Sequence, residues 1–121
     1  LVRPREGSDV VSYAPPAIFA QRADFLRLAA KGKKFSRPGF VLQVLRTDGG
    51  LRVGYTATKK LGNAVLRNRA RRRLKEAARL TLAEMAPAGV ELVLICRRET
   101  AKIPFEVLRA TLRATLAEAL T

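Results

Sequence analysis

The sequence has no histidine, no tryptophan and a single cysteine. Without an imidazole there is no histidine general base, no histidine metal ligand and no Ser-His-Asp triad. The lone thiol, Cys96, can close no intramolecular disulfide and cannot complete a thiolate zinc site. It lies in the apolar run Leu92–Cys96 and reads as a buried structural thiol of a protein kept in a reducing cytoplasm. Acids are scarce as well: ten Asp and Glu face twenty-four Lys and Arg, for a formal charge of +14. The ten are scattered, so paired-carboxylate chemistry has no footing. No apolar run approaches the roughly 20 residues a membrane-spanning helix needs. Val10–Ala20 is mildly apolar but is broken by Pro15 and Pro16, and does not read as a signal peptide. What remains is one domain, with an apolar fraction of 48% that supports a packed core. Lys or Ser chemistry remains formally open, but nothing in the sequence favours it, and the expectation is a chain with no catalytic residue and no metal site of its own. Its charge calls for an anionic partner: RNA, DNA, an anionic membrane surface or an acidic protein.

Residues 1–16 carry mixed charge, Gly7 and two prolines, and read as a flexible arm ahead of a single domain over 17–121. Arg22–Lys31 is predicted to be a short helix with Phe25, Leu28 and Ala29 on one face, ended by Gly32. Lys33–Gly39 reads as a basic turn punctuated by Pro38-Gly39. Phe40–Arg46 reads as a strand, with Phe40, Leu42, Val44 and Arg46 on one face and Val41, Gln43 and Leu45 on the other. Thr47-Asp48-Gly49-Gly50 is the signal for a hairpin to an antiparallel partner, Leu51–Thr58. Glu91–Arg97 is almost continuously apolar, as suits a strand buried on both faces. Pro104 fits the start of a last helix, Phe105–Leu120, with Val107, Leu108, Leu112, Leu116 and Leu120 in helical period. This order of elements predicts an α+β fold, a two-layer α-β sandwich with helices packed on a small mixed sheet.

The richest stretch is Lys59–Lys75, KKLGNAVLRNRARRRLK, with eight Lys or Arg in seventeen residues and no acid. Charges this dense repel one another, and a polyanion relieves that repulsion best. Asn63 is a candidate N-cap. Leu66, Ala70, Leu74, Ala77 and Thr81 form a stripe able to dock on a sheet, and Pro87–Gly89 closes the helix. Arg67, Arg71 and Lys75 form one charged line beside the stripe; Asn68, Arg72 and Arg79 form a second, and Arg69 and Arg73 flank the far side. Arginine dominates, and its planar fork suits phosphate. Arg72–Glu76 is the one internal pair of opposite charge that the spacing offers. Ahead of the helix, Lys59, Lys60 and the backbone to Gly62 form either a phosphate seat or a plain capped loop. A DNA-binding module would need a helix-turn-helix or zipper, and neither accompanies the helix. A membrane-surface helix would need its alanine-rich stripe for lipid rather than for the core. A general structured-RNA-binding or ribosome-associated protein fits the charge equally well.

The run KKLGNAVLRNRARRRLKEAAR resembles the Arg-Asn-Arg signature of the bacterial ribonuclease P protein subunit. Arg22-Ala23-Asp24-Phe25 resembles that family's first helix, Arg37–Leu42 its first long strand, and Arg52–Thr56 the strand before the signature. The likeness covers Arg22 to Leu120. It implies a fold like the second domain of ribosomal protein S5, with a left-handed β-α-β crossover where right-handed ones are the rule. It also implies a non-catalytic subunit of an endoribonuclease that removes the 5′ leader of precursor tRNA. The catalytic RNA, with bound Mg2+, would perform the hydrolysis. By resemblance, Lys59, Lys60, Asn63, Arg67, Asn68, Arg69, Arg71, Arg72 and Lys75 would contact that RNA. Arg22, Phe25, Phe40 and Gln43 would hold the single-stranded leader in a cleft between the first helix and the sheet, although Phe40 reads equally well, and Phe25 less well, as plain core. Ala29 and Gln43 stand where many members carry aromatics, so leader stacking would rest on Phe25 and on hydrogen bonding. The implied partners are the catalytic RNA and precursor tRNA, with no membrane and no obligate protein partner.

Overall fold

A residue run that is apolar on both faces loses most if it lies at a sheet edge, and Val90–Cys96 takes the centre. The computed structural model describes residues 17–18 and 22–121; the arm expected over 1–16 lies outside them. The strands are β1 (Ala17–Ile18), β2 (Lys33–Arg37), β3 (Phe40–Arg46), β4 (Arg52–Thr56) and β5 (Val90–Cys96). The helices are α1 (Arg22–Lys31), α2 (Ala64–Met85) and α3 (Phe105–Ala119). The sheet order is β1-β4-β5-β3-β2. β5 pairs antiparallel with β3, setting Val44 opposite Leu92, and parallel with β4, setting Arg52 opposite Glu91. Helix α2 thus joins two adjacent parallel strands, β4 and β5.

This topology corrects two local expectations. Thr47–Gly50 is not a tight hairpin, because β5 enters between β3 and β4. The Asp-Gly signal is local, whereas pairing is decided by which strand must be covered on both faces. The end of β3 is tied to the start of β5 instead, where the Thr47 N–H donates to the Gly89 carbonyl at 2.8 Å. Gly89 has φ +68, and a Cβ there would lie 3.0 Å from the Thr47 carbonyl oxygen. The second correction is Lys33–Gly39, which is not all turn. Lys33–Arg37 forms edge strand β2 on β3, and the turn is confined to Pro38-Gly39. Its exposed Lys33 and Lys34 disguised it as a loop; they blunt the open edge against pairing with other chains.

The predicted α2 stripe lies against the sheet: Ala70, Leu74, Ala77 and Thr81 are buried, joined by Ala78 and Leu82, while Leu66 is half-buried. The Asn63 side-chain oxygen caps α2 by accepting the Leu66 N–H at 2.9 Å. The helix stops at Ala86, in left-handed conformation just before Pro87. Leu108, Leu112 and Leu116 of α3 share that core, but Val107 is 52% exposed and lies off the buried stripe. Phe40, Leu42, Val44, Leu92 and Leu94 meet α2 and α3 on one sheet face. Each fully buried leucine here contributes about 1.5–3 kcal/mol. On the other face α1 sets Leu28 against Val93, with Phe25, Leu45 and Ile95 around them. A Cβ on Gly32 would lie 2.8 Å from the Leu28 carbonyl oxygen and 2.9 Å from that of Val44, so glycine lets α1 end directly on β3. The helix-on-sheet sandwich therefore has a second, shorter cover, and α1 leaves part of that face open.

Candidate nucleic-acid interface

Docking the alanine-leucine stripe fixes where the charges of α2 point. Asn68, Arg69, Arg72 and Lys75 are exposed, and Arg67 and Arg71 are half-buried. Lys59 and Lys60 stand exposed on a short 3-10 turn that buried Leu61 anchors. Asn63 has spent its side-chain oxygen on the cap, leaving only its amide donors for a ligand. The expected Arg72–Glu76 pair does not form. Glu76 is taken by Arg79 through two hydrogen bonds of 2.9 and 2.7 Å, which hold the Glu76 carboxyl below its ordinary range. The guanidinium fork reaches both carboxylate oxygens across one turn, a geometry stronger than a single contact. Arg69, Arg71 and Arg72, with Lys59 and Lys60, have no carboxylate within ion-pair distance among the described residues. Arg73 differs from its neighbours, being half-buried and donating to the Ala101 carbonyl at 3.4 Å and to the Ile103 carbonyl. It staples α2 to the segment before α3.

A groove of about 630 Å3 runs between α1, the open part of the sheet and the side of α2. Arg22, Phe25, Leu26 and Ala29 form one wall, and Gln43, Val93 and Ile95 the floor. Tyr55, Thr56, Ala57 and Arg71 close the far side. Three of the four expected leader residues, Arg22, Phe25 and Gln43, are thus brought together. Phe40 is not among them: it is wholly buried in the main core, on the opposite sheet face from Gln43. Strand alternation put Phe40 and Gln43 on opposite faces from the start, and the position of α1 decides which face is the groove. Tyr55 and Leu26 were missed. Tyr55 carries the Lys75 ammonium 5.7 Å from its ring centroid, and Leu26 is 54% exposed at the groove. An aromatic one residue from the end of β4, just before Lys59-Lys60, was the available signal for Tyr55. Arg71, expected on the RNA face, also reaches the groove.

Helix α1 is held over the sheet by a ring of two arginines and two carboxylates. Arg52 reaches Glu91 at 3.0 Å and Asp24 at 2.9 Å. Arg27 reaches Asp24 at 3.2 Å and lies 2.6 Å from Glu91, an ion pair by distance rather than an aligned hydrogen bond. Desolvation alone would raise the Asp24 carboxyl, but hydrogen bonds and charge from Arg27 and Arg52 outweigh it and hold the group below its ordinary value. Burial pushes the Cys96 thiol up to about 11 against the opposing charge of Arg71, so it is a packed group and a poor nucleophile. Among the described residues no helix is long and apolar enough to cross a membrane.

A mixed-sheet sandwich with an arginine-rich helix beside an open, aromatic-edged groove defines a small nucleic-acid-binding α-β protein. The family model described as Ribonuclease P matches residues 15–120. The chain is 50% identical to the ribonuclease P protein component of Gluconacetobacter diazotrophicus over 101 residues, covering 82% of this chain and 87% of that one. It is 46% identical to that of Paramagnetospirillum magneticum over 102 residues, covering 79% and 77%. The solved RNase P protein from Thermotoga maritima superposes with a TM-score of 0.72 at 27% identity, covering 83% of this chain and 94% of that one. The chain belongs to the ribonuclease P protein component family.

Proposed function

We propose that the chain is the protein subunit of a bacterial ribonuclease P, which docks on the catalytic RNA through Lys59–Lys75 and receives the 5′ leader of precursor tRNA in the α1 groove. The observation that carries this reading is the set of cations from Lys59 to Arg72 without carboxylate partners among the described residues, held on a docked helix beside that groove. Lys59, Lys60, Asn63, Arg67, Asn68, Arg69, Arg72 and Lys75 meet phosphates of the RNA subunit. Arg71 lies between the two surfaces and serves both. In the groove Phe25 offers a ring for a leader base, Gln43 offers an amide, and Arg22 stands at the rim.

The chain supplies no catalytic side chain in this reading. Its own groups do not fit a divalent-cation site either: among the described residues no three His, Cys, Asp or Glu side chains come together, and Asp24 and Glu91 are taken up by Arg27 and Arg52. The Mg2+ that the hydrolysis needs is assigned to the RNA subunit. What the protein contributes is charge. A leader and a folded RNA repel as polyanions, and a fixed row of cations between them lowers that repulsion, which metal ions would otherwise have to screen. It works as a cytoplasmic ribonucleoprotein without an obligate protein partner.

Precursor tRNA incubated with a bacterial ribonuclease P RNA at low Mg2+, with and without the protein, tests the reading. Protein-dependent release of the intact leader is the expected result. Tight RNA binding with no stimulation across several RNA types would replace it with a general structured-RNA-binding role.

A further inference from the structure

The segment between β5 and α3 carries cations that neither the signature helix nor the groove absorbs. Arg98 and Lys102 are both exposed and have no carboxylate within ion-pair distance among the described residues. Their neighbour Arg97 is spent, donating to the Ser36 hydroxyl at 2.7 Å and taking Glu99 at 3.8 Å. The segment is also held firmly. Thr100 is buried; its hydroxyl accepts the Arg97 N–H at 2.8 Å and donates to the Gly39 carbonyl at 2.5 Å. From the other side, Arg73 of α2 donates to the carbonyls of Ala101 and Ile103, the two residues that bracket Lys102. Exposed Arg69 lies four residues before Arg73, one turn along the same flank of α2. The staple therefore holds the segment that carries Arg98 and Lys102 against the flank of α2 to which Arg69 and Arg73 belong, while Arg71 lines the groove.

We propose that Arg98 and Lys102 form a second arm of the RNA-subunit surface, so that phosphates of the folded catalytic RNA are gripped across α2 and the β5–α3 connection together. This rests on the RNA-subunit reading of α2. Folded RNA is the partner favoured over a single strand, because the cations lie on two elements in fixed relative positions and no aromatic ring interleaves them. Arg73 is a positioning residue here: it orients the segment through backbone carbonyls and leaves contact to its neighbours.

The test is the salt dependence of binding to ribonuclease P RNA, using the full chain and the R98A/K102A variant, with R69A/R72A as the helix comparison and circular dichroism to confirm folding. Removing two phosphate contacts should make the slope of log K against log salt shallower by roughly 1.4–1.8. R98K/K102R should keep the slope, and the ratio of affinities for precursor and mature tRNA should not move. A slope unchanged in R98A/K102A but shallower in R69A/R72A overturns the second arm and leaves the helix reading intact. A slope unchanged in both overturns the helix reading as well. A fall in the precursor-to-mature ratio with the slope unchanged would place these residues on the leader path and overturn the proposal.

Discussion

Two phenylalanines with the same look in the sequence have opposite fates in the fold. Phe25 is half-buried at the groove, and Phe40 is sealed in the core. Phe25→Ala is expected to lower affinity for precursor tRNA while mature tRNA binding holds, since one lost base stack is worth about 1–3 kcal/mol. Equal loss for both RNAs would remove the leader from the groove. Phe40→Ala is expected to cost about 3–5 kcal/mol of fold stability in urea unfolding. The protein that remains folded should discriminate the two tRNAs normally. The residue pattern legible in the sequence was the α2 stripe and its Asn63 cap, because both depend on neighbours within one or two turns. The role of Phe40 was not legible, because it depends on which sheet face a distant helix covers; Tyr55 left only the weaker signal of an aromatic near the end of β4.

Helix α1 forms one wall of the groove, and its position depends on the ring of Asp24, Arg27, Arg52 and Glu91. Glu91→Gln removes one of the two carboxylates from a site where Glu91 is only 6% exposed. Loss of its charged contacts is expected to cost about 1–3 kcal/mol of local stability. Hydrogen exchange of α1 amides should quicken by about fivefold or more. Preference for precursor tRNA should fall with it, while affinity for the RNA subunit and its salt slope stay put. Acid should act on the same ring. Asp24 titrates lower in the folded chain than its ordinary 3.8, so its contribution is present above that value and is lost as pH falls through the folded one. Protection of α1 amides should therefore drop below pH 3.8 as Asp24 takes up its proton, and Asp24→Asn should flatten that step. The ring escaped sequence reading for a definite reason: Arg52 and Glu91 face each other only once β4 and β5 are known to pair, and the Asp48-Gly49 signal pointed to another partner.

At the scale of the whole molecule, the net charge of +14 is not spread evenly in its effect. Arg27, Arg52, Arg73 and Arg79 are engaged with the chain itself, whereas the outward cations of Lys59–Lys75 have no acid among them. If about six of them each displace a counterion from RNA, log K should fall against log salt with a slope of roughly −4 to −5. A titration across a tenfold range of salt would measure it, and a slope near −1 would mean that α2 is not the docking surface. The sandwich itself was legible from element order. The seating of β5 between β3 and β4 was not, since it follows from competition among strands for the centre and not from any local pattern. That seating has a consequence for how the protein is made. Synthesis delivers β3, β4 and the whole of α2 before the strand that joins them into one sheet. Until residues 90–96 leave the ribosome, the arginine-rich segment has no central strand to lie on. The strand that gives the helix its floor is the last strand of the described sheet to be made.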